Sequence, residues 1–217
     1  SMTRISLSKP YWDDECEKAA IFALKSGRWV KGPQARAFGE EFANWCGAAA
    51  AVPCQSGSAA LWAALRLLGI GPGDEVIVPG MTFIATATSV SLVGAKPVFA
   101  DIESDYWCIC PDDVESKITS KTKAVIGVHI FGQPFSSRLR EICDNHNIAL
   151  IEDAAQAHGA TLDGKMAGSI GDIACFSFFP SKNMAVGGEG GMITTTRPEL
   201  ADRLKRLVDH GRDDSLE

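Results

Sequence analysis

The stretch AVIGVHIFGQPFSSRLREICDNHNIALIED, residues 124–153, contains the pattern that decides the fold. Two short apolar runs, at 124–128 and 149–152, are rich in Val, Ile and Leu, which is typical of strands buried on both faces. Between them, apolar residues recur at helical spacing over 137–146, and turn residues separate the three segments. A strand, a helix and a second strand in this order predict a βαβ unit with parallel strands.

The same alternation continues on both sides of this unit. Further apolar runs, each of the kind buried on both faces, predict strands at 75–79, 97–100, 173–178 and 191–195. Helical spacing predicts helices at 13–26, 34–45, 58–68, 83–93, 111–118 and 198–210. We therefore expect an α/β fold with three αβα layers around a mainly parallel central sheet. Because no repeat or linker interrupts the pattern, residues 1–217 are expected to form one domain.

The composition is that of an ordinary globular protein. Of the 217 residues, 46% are hydrophobic and 22% are charged, and the formal net charge is −6. An acidic chain lacks the broad cationic face that a nucleic-acid backbone requires, so we expect no nucleic-acid partner. The sequence contains neither an apolar run of about 18 residues nor the layout of a signal peptide, which predicts a cytoplasmic protein that does not span a membrane.

The seven cysteines predict neither a disulfide framework nor a metal site. Their number is odd, and their spacing shows no CxxC pair and no paired histidines of the kind that zinc sites use. Cys108 and Cys110 lie on one side of an extended segment and offer two thiols for a metal or for oxidation. Packing of reduced, buried thiols is the favoured interpretation, so no metal is predicted.

Lys182 and Asp153 have the surroundings that point most directly to chemistry. Lys182 lies in CFSFFPSKN, residues 175–183, an apolar segment followed by the glycines of 187–191. An amine that lies close to backbone and loses solvent can form a Schiff base, whereas most lysines are solvated surface groups. Asp153 ends a buried strand, where it can cap the next turn or hold a pyridine nitrogen protonated. Together the two residues predict a pyridoxal phosphate (PLP) site.

Other predicted strand ends supply further parts of what this cofactor needs. The segment QSGSAAL, 55–61, begins a helix whose free N–H groups favour a phosphate, although a serine that only caps the helix is the common alternative. Ser177 offers a further phosphate contact, and Phe83 can stack on a flat ring or pack in the core. Gln156 and His158 either flank the ring or are structural residues. The joint occurrence of these features, rather than any one of them, predicts the site.

Six motifs together resemble the sugar aminotransferases of the DegT/DnrJ/EryC1/StrS family, which are PLP enzymes of the aspartate aminotransferase fold type. The motifs are SGRWVKGP (26–33), SGSAAL (56–61), GPGDEVIVP (71–79), TFIAT (82–86), EDAAQAHG (152–159) and GEGG (188–191). The resemblance runs through nearly the whole chain, and the combination is highly specific where no single motif would be. It implies that the chain has the fold of the PLP-binding large domain of this family.

The resemblance also implies a role for each candidate residue. Lys182 would form the Schiff base and shuttle protons, and Asp153 would pair with the pyridine nitrogen. Gln156 would lie near the ring hydroxyl, and Phe83 would stack on the ring. The cofactor phosphate would be held by Gly57, Ser58 and Ser177. Ser58 stands where the family more often has threonine, a change that retains the hydroxyl.

The implied reaction moves an amino group from an amino acid donor, usually glutamate, to a keto group of a nucleotide-linked deoxysugar. Relatives that dehydrate the sugar carry His at the position of Lys182, so the lysine favours transamination. Keto-inositol aminotransferases share the motifs and remain an alternative. A further hypothesis is that Trp29 and Lys31 border the sugar.

The resemblance implies a homodimer with the active site at its interface. Family members continue with a second, smaller domain, so we expect that C-terminal domain to be absent from this chain. A truncated, non-catalytic module that acts through dimerisation is therefore an alternative. Two further classes are disfavoured by the sequence: a PLP desulfurase or lyase would need a reactive cysteine in a Gly-rich loop, and a Rossmann protein would need a GxGxxG motif after its first strand.

Overall fold

The computed structural model describes residues 5–6 and 8–212 of the chain. Within these ranges, the α-helices are α1 (Asp14–Lys25), α2 (Pro33–Cys46), α3 (Gly57–Leu67), α4 (Ala85–Leu92), α5 (Pro111–Lys117), α6 (Arg138–His146) and α7 (Ala201–Leu207). The strands are β1 (Ala50–Cys54), β2 (Glu75–Pro79), β3 (Lys96–Ala100), β4 (Thr122–Val128), β5 (Ala149–Asp153), β6 (Thr161–Leu162), β7 (Lys165–Met166), β8 (Ile173–Ser177) and β9 (Gly191–Thr195). Short 3₁₀ turns occur at Ile130–Gly132 and Pro198–Leu200.

Seven strands form one sheet in the order β1-β9-β8-β5-β4-β2-β3. The neighbouring strands from β8 to β3 run parallel, whereas β9 is antiparallel to both of its neighbours. The βαβ unit predicted from 124–153 is present as β4, α6 and β5, with Val128 paired to Asp153 in register. The prediction of an α/β fold with a mainly parallel central sheet is confirmed.

Helices cover both faces of this sheet. In β2, Val76 and Val78 belong to the core beneath α3, α4 and α7, while Ile77 belongs to the core beneath α5 and α6. A third apolar cluster joins β8 and β9 to α2, with Phe42 packed against Phe176. Alternate residues of a strand point to opposite faces, so a strand buried on both sides needs a continuous apolar run. The three αβα layers therefore follow from the pattern seen in the sequence.

The two edge strands depart from the sequence prediction. The sequence does not predict β1 because AAVPC contains residues that are poor strand formers. The structure pairs β1 with β9 at the edge of the sheet, where Pro53 is tolerated. The other edge strand, β3, is not buried on both faces, since Phe99 is 54% exposed. The expectation that every predicted strand is doubly buried is therefore wrong for β3.

Two predicted helices begin or end elsewhere in the structure. The helix predicted at 83–93 begins at Ala85, which leaves Phe83 in the turn that leads into α4. The helix predicted at 198–210 opens as a 3₁₀ turn and continues as α7 only to Leu207. The hairpin of β6 and β7 has two residues in each strand, too few for any periodicity to be visible in the sequence.

The seven cysteines are unpaired, and most are packed inside the protein. Burial is the main cause that raises the pKa of Cys54 to about 11 and that of Cys143 to about 12, so both thiols stay protonated. In the part of the chain that the structure describes, no helix has the length and apolar character needed to cross a membrane.

Candidate active site

The predicted site residues gather at the carboxyl ends of the parallel strands. Asp153 is the last residue of β5, Ser177 is the last residue of β8, and α3 begins at Gly57 beside Ser177. A Cβ atom added to Gly57 would lie only 2.8 Å from the Cβ of Ser177. Glycine is therefore required for the start of α3 to approach the end of β8 this closely. Open α/β sheets bind their ligands at this edge.

The first turn of α3 carries groups suited to an anion. Ser56 caps the helix, its Oγ accepting a backbone N–H at 3.1 Å. The N–H groups of Gly57 and Ser58 precede the first partners available within the helix, at the positive end of its dipole. The capping serine is thus Ser56, and this leaves the exposed hydroxyl of Ser58 available to a ligand. The buried Ser177 lies beside this turn.

Asp153 is a buried carboxylate held by two donors. The hydroxyl of Thr86 donates to Oδ2 at 2.8 Å, and the N–H of Ala155 donates to Oδ1 at 3.3 Å. Burial raises the pKa of Asp153, and the two hydrogen bonds oppose this shift without cancelling it. A cation placed beside the carboxylate would favour its ionised form.

Thr86 is a residue of this site that reasoning from the sequence missed. It is fully buried, and it reaches Asp153 although 67 residues separate the two in the chain. Its hydroxyl also lies 2.8 Å from that of Thr82. The available signal was the spacing of these two threonines, since residues four apart just after a strand end lie on one face of the following helix turn.

Gln156 is oriented by the turn that follows β4. Its Oε1 accepts the N–H of Phe131 at 2.7 Å. Phe131 has φ 55° and the next residue, Gly132, has φ 85°, so the turn is left-handed at both positions. Because a backbone N–H must meet an oxygen, the carbonyl of Gln156 faces the turn and its NH₂ group faces away from it. The side chain therefore presents donors rather than acceptors toward its free side.

Lys182 lies in the turn after β8 and is half-buried. Its N–H donates to the carbonyl of Phe179 at 2.8 Å, which closes the turn. The Lys182 side chain is close enough to Asp153 for its charge to oppose the raised pKa of that carboxyl. Phe83, in the turn before α4, is 70% exposed, so its ring is available to a ligand rather than packed in the core. The charge of Lys182 thus acts on Asp153, while the roles of the two residues stay predictions.

A second buried pair supports the strand ends and was not predicted. Glu152 accepts the N–H groups of Gly168, Ile170 and Gly171 at 2.9, 2.8 and 2.7 Å, and its Oε2 lies 2.9 Å from Nε2 of His129. Nδ1 of His129 accepts a backbone N–H at 3.2 Å, so its proton is on Nε2 and the ring is neutral. Glu152 adjoins Asp153 in the strand and faces the opposite side of the sheet. The pair ties the loop before β8 to the end of β4.

Trp29 and Lys31 lie in a different part of the structure. Nζ of Lys31 donates to the carbonyl of Val208 at 3.2 Å and forms an ion pair with Asp209, just after α7. Trp29 is 75% exposed, and its Nε1 donates to the carbonyl of Leu24 at 2.8 Å. Among the described residues, the hydrogen bonds and ion pairs of Trp29 and Lys31 therefore do not include Lys182.

A lysine, a buried strand-end carboxylate and a helix N-terminus on one sheet edge define an α/β protein of the PLP-binding class. The chain belongs to the DegT/DnrJ/EryC1/StrS aminotransferase family, which matches residues 10–216. PLP is the cofactor of this family, and solved relatives include PLP and PMP forms. The predictions of the family and of its cofactor are confirmed, while the roles of individual residues stay predictions.

Three relatives illustrate the match. The chain is 47% identical over 189 residues to the UDP-N-acetyl-3-dehydro-α-D-glucosamine 3-aminotransferase of Acidithiobacillus ferrooxidans, covering 87% of this chain and 51% of that protein. It is 45% identical over 197 residues to the L-glutamine:2-deoxy-scyllo-inosose aminotransferase of Streptomyces kanamyceticus, covering 87% and 46%. The structure of S. venezuelae DesV in complex with a ketimine intermediate matches with a TM-score of 0.89 at 44% identity, covering 94% and 55%. The chain thus spans about half the length of the curated relatives it matches.

Proposed function

We propose that the protein is a PLP-dependent aminotransferase that moves an amino group from glutamate to a keto group of a nucleotide-linked sugar. The observation that carries this proposal is the convergence of Lys182, Asp153 and the first turn of α3 on one edge of the sheet. Each of the three meets a different demand of the cofactor: its aldehyde, its ring nitrogen and its phosphate. Residues 1–217 then correspond to the cofactor-binding large domain of the family.

The residues present fit the cofactor chemically. Gly57 lets the start of α3 pack directly against Ser177, so this serine lies beside the free backbone N–H groups of the first helical turn, which suit a phosphate. Asp153 is buried with hydroxyl and N–H donors but with a raised pKa, and a protonated ring nitrogen would supply the charge that favours its ionised form. The NH₂ group of Gln156 can donate to the ring hydroxyl, and Phe83 can cover the ring face.

Each of these residues has a separate proposed role in the reaction. When bound, PLP supplies an electron sink for the bond changes at the substrate carbon. Lys182 would hold the cofactor through Nζ, and the free amine would accept and return a proton at that atom. Asp153 holds the proton on the ring nitrogen through its ionised carboxylate. Phe83 excludes water from the ring face, and Ser177 with the start of α3 anchors the phosphate.

The proposed substrates follow from the relatives. The A. ferrooxidans relative is named for a UDP-linked 3-dehydro sugar, and it supports a nucleotide-linked keto-sugar as the acceptor. The S. kanamyceticus relative is named for glutamine and a keto-inositol, and its similar identity of 45% keeps that pair as a second candidate. Lys182 is common to both chemistries, so the acceptor and the donor must be distinguished by experiment.

We further propose that the protein acts as a homodimer in the cytoplasm. Phe83 and Phe131 are each 70% exposed and Trp107 is 50% exposed, and the rings of Trp107 and Phe131 contact each other with centroids 6.4 Å apart. Exposed aromatic groups at a site mouth are typical of a surface covered by a partner. Light scattering of the purified protein measures the mass directly, and a monomer at micromolar concentration would refute the dimer.

The cofactor proposal is tested by trapping. The purified protein is mixed with PLP, its visible absorption is recorded, and the mixture is reduced with borohydride before the peptides are analysed by mass spectrometry. We expect a coloured, reducible adduct on the peptide that contains Lys182. Lys182→Ala should lack it, whereas Lys165→Ala, which changes an exposed lysine of β7, should retain it. Absence of any adduct in the unchanged protein would refute the proposal.

The acceptor is tested with isotopically labelled donors. Labelled glutamate or glutamine is offered with UDP- and dTDP-linked 3-keto sugars or with scyllo-inosose derivatives, and the label is sought in the amine product. Transfer from glutamate to a nucleotide sugar supports the proposal, and transfer from glutamine to an inosose establishes the second candidate. A protein that forms the adduct and transfers label to none of these acceptors supports the non-catalytic dimerisation module instead.

A further inference from the structure

His158 lies beneath the turn that carries Lys182. Its ring contacts Phe176 with centroids 5.2 Å apart and Phe178 with centroids 5.7 Å apart, on the side of β8 that packs against α2. The two phenylalanines flank Ser177 in the strand, so His158 and Ser177 lie on opposite faces of the same strand end. The histidine thus packs against the face of β8 opposite to Ser177 and does not face the first turn of α3.

The imidazole of His158 has an unusual deficit of hydrogen bonds. Both ring nitrogens are buried, and neither has a hydrogen-bond partner among the residues that the structure describes. Native proteins pair nearly all of their buried polar atoms, and each exception requires an explanation. A residue that only filled space between two phenylalanines would be better served by an apolar ring, because burial of unpaired nitrogens costs free energy.

The groups near the His158 ring come from the Lys182 turn and from the end of β8. The Asn183 side chain and the Ser177 backbone are close enough to raise the pKa of His158, and the charge of Lys182 lowers it, but neither ring nitrogen makes a hydrogen bond of ordinary geometry with them. Burial is the main cause that lowers the pKa of His158, so the imidazole is neutral. A neutral ring offers one donor and one acceptor, and an amide side chain can satisfy either.

We propose that His158 is a positioning residue for Lys182: the turn of residues 179–183 settles on the imidazole, and a hydrogen bond between His158 and Asn183 then fixes the direction of the lysine amine. This inference rests on the proposed PLP function. The unpaired ring nitrogens are the part of the site that this small movement satisfies.

The experiment measures how fast Lys182 is captured. Unchanged protein, His158→Phe, His158→Gln, Asn183→Ala and the double variant His158→Phe with Asn183→Ala are mixed with excess PLP, and borohydride-reducible adduct is followed over time. The pH dependence of the adduct's visible absorption is recorded for each protein. His146→Phe, at the exposed end of α6, is the matched control, and thermal unfolding without cofactor reports stability.

We expect His158→Phe to fold, because the new ring can pack between Phe176 and Phe178, and to form the adduct about fivefold more slowly with a shifted pH midpoint. Asn183→Ala should slow capture to a similar degree. The double variant should be no slower than either single variant, because both changes remove one shared bond. His158→Gln should recover most of the rate, and His146→Phe should match the unchanged protein in rate and pH profile.

The alternative outcomes are distinct. Unaltered capture rates and pH profiles in folded His158→Phe and Asn183→Ala overturn the inference and leave the proposed function intact. Additive slowing in the double variant also overturns it, since the two residues then act separately. If His158→Phe does not fold, Asn183→Ala decides alone, and an unaltered capture rate and pH profile in that variant overturn the inference. No adduct in the unchanged protein overturns both the proposed function and this inference.

Discussion

Asp172 and Asp153 are carboxylates at opposite ends of the parallel pair formed by β5 and β8, and they differ in burial and in hydrogen-bond partners. Asp172 accepts Nη1 of Arg140 at 3.1 Å and the N–H of Leu150 at 2.8 Å. Arg140 is also paired with Asp144 at 2.6 Å. Asp153 is more deeply buried and has a raised pKa, and its donors within the described part of the chain, Thr86 and Ala155, are neutral.

The difference supports the proposal that one end of the sheet serves stability and the other binds a ligand. At the end that carries Asp172, the charged groups pair with one another within the chain, although Nε of Arg140 lacks a hydrogen-bond partner among the described residues. At the end that carries Asp153, a buried carboxylate and the unpaired nitrogens of His158 remain incompletely satisfied. Buried polar groups without partners lower the stability of the protein. They are retained where a bound ligand can pair with them.

The largest expected effect comes from Asp153→Asn. Under the proposed function, Asp153 holds the ring nitrogen protonated, so loss of its carboxylate should reduce transamination by about 100-fold or more because a charge that stabilises the transition state is removed. Rates of product formation with saturating PLP measure this effect. The contrast between the two strand ends would be broken if Asp172→Asn reduced the rate equally.

The same substitution should raise the stability of the cofactor-free protein. The folded-state pKa of Asp153 is raised above the ordinary value of 3.8, so the native state binds more protons than the unfolded state and stability falls as the pH rises through this window. Because asparagine does not titrate, the unfolding free energy of Asp153→Asn does not fall in this way as the pH rises. Its advantage in unfolding free energy should be absent below pH 3.8 and should grow as the pH rises toward neutrality, as urea titrations at several pH values can show. A constant advantage at every pH would contradict the assignment.

Asp172→Asn should act in the opposite way on stability. The change leaves Arg140 without one of its two carboxylates and weakens the bond to the start of β5, for an expected loss of about 1–3 kcal/mol in unfolding free energy. Urea unfolding measures the loss. Adduct formation with PLP should be unchanged in protein that remains folded, and a slower adduct would show that the two ends of the sheet are coupled.

Gly57→Ala tests the close approach of α3 to Ser177, where the cofactor phosphate is proposed to bind. The added Cβ would lie 2.8 Å from the Cβ of Ser177, so either α3 or β8 must move, and PLP affinity should fall by about tenfold. Adduct formation with pyridoxal, which lacks the phosphate, should change little. Gly71→Ala is the control, since its added Cβ meets its nearest neighbour, the carbonyl oxygen of Val93, at an ordinary 3.7 Å. Equal losses for PLP and pyridoxal would argue against a phosphate at this helix.

Thr86→Val is expected to have the smallest effect. The substitution retains the shape of the side chain and removes the hydroxyl that donates to Asp153 at 2.8 Å, which should reduce turnover by about fivefold. Thr86→Ser, which retains a hydroxyl, should stay near the rate of the unchanged protein. A loss with Ser as large as that with Val would assign the effect to packing rather than to the hydrogen bond.

Several elements and site residues were predictable from local pattern. The strands β2, β4, β5 and β8 are continuous apolar runs because both of their faces are covered, and such runs are visible without a structure. Asp153 and Ser177 follow from the rule that ligands bind where parallel strands end. Strand β1 was not predictable, because its pairing with β9 overrides the weak strand preference of alanine and proline.

By itself, the sequence determined the layers of the fold, the family and the chemical groups available to a cofactor, because these depend on residue type and short-range spacing. Only the tertiary structure decided that Thr86 contacts Asp153 across 67 residues and that Gly57 approaches Ser177 closely. It also decided that Asp172 is paired, while the ring nitrogens of His158 have no hydrogen-bond partner among the described residues. Contacts between distant segments, and the burial that shifts a pKa, arise only when the chain packs.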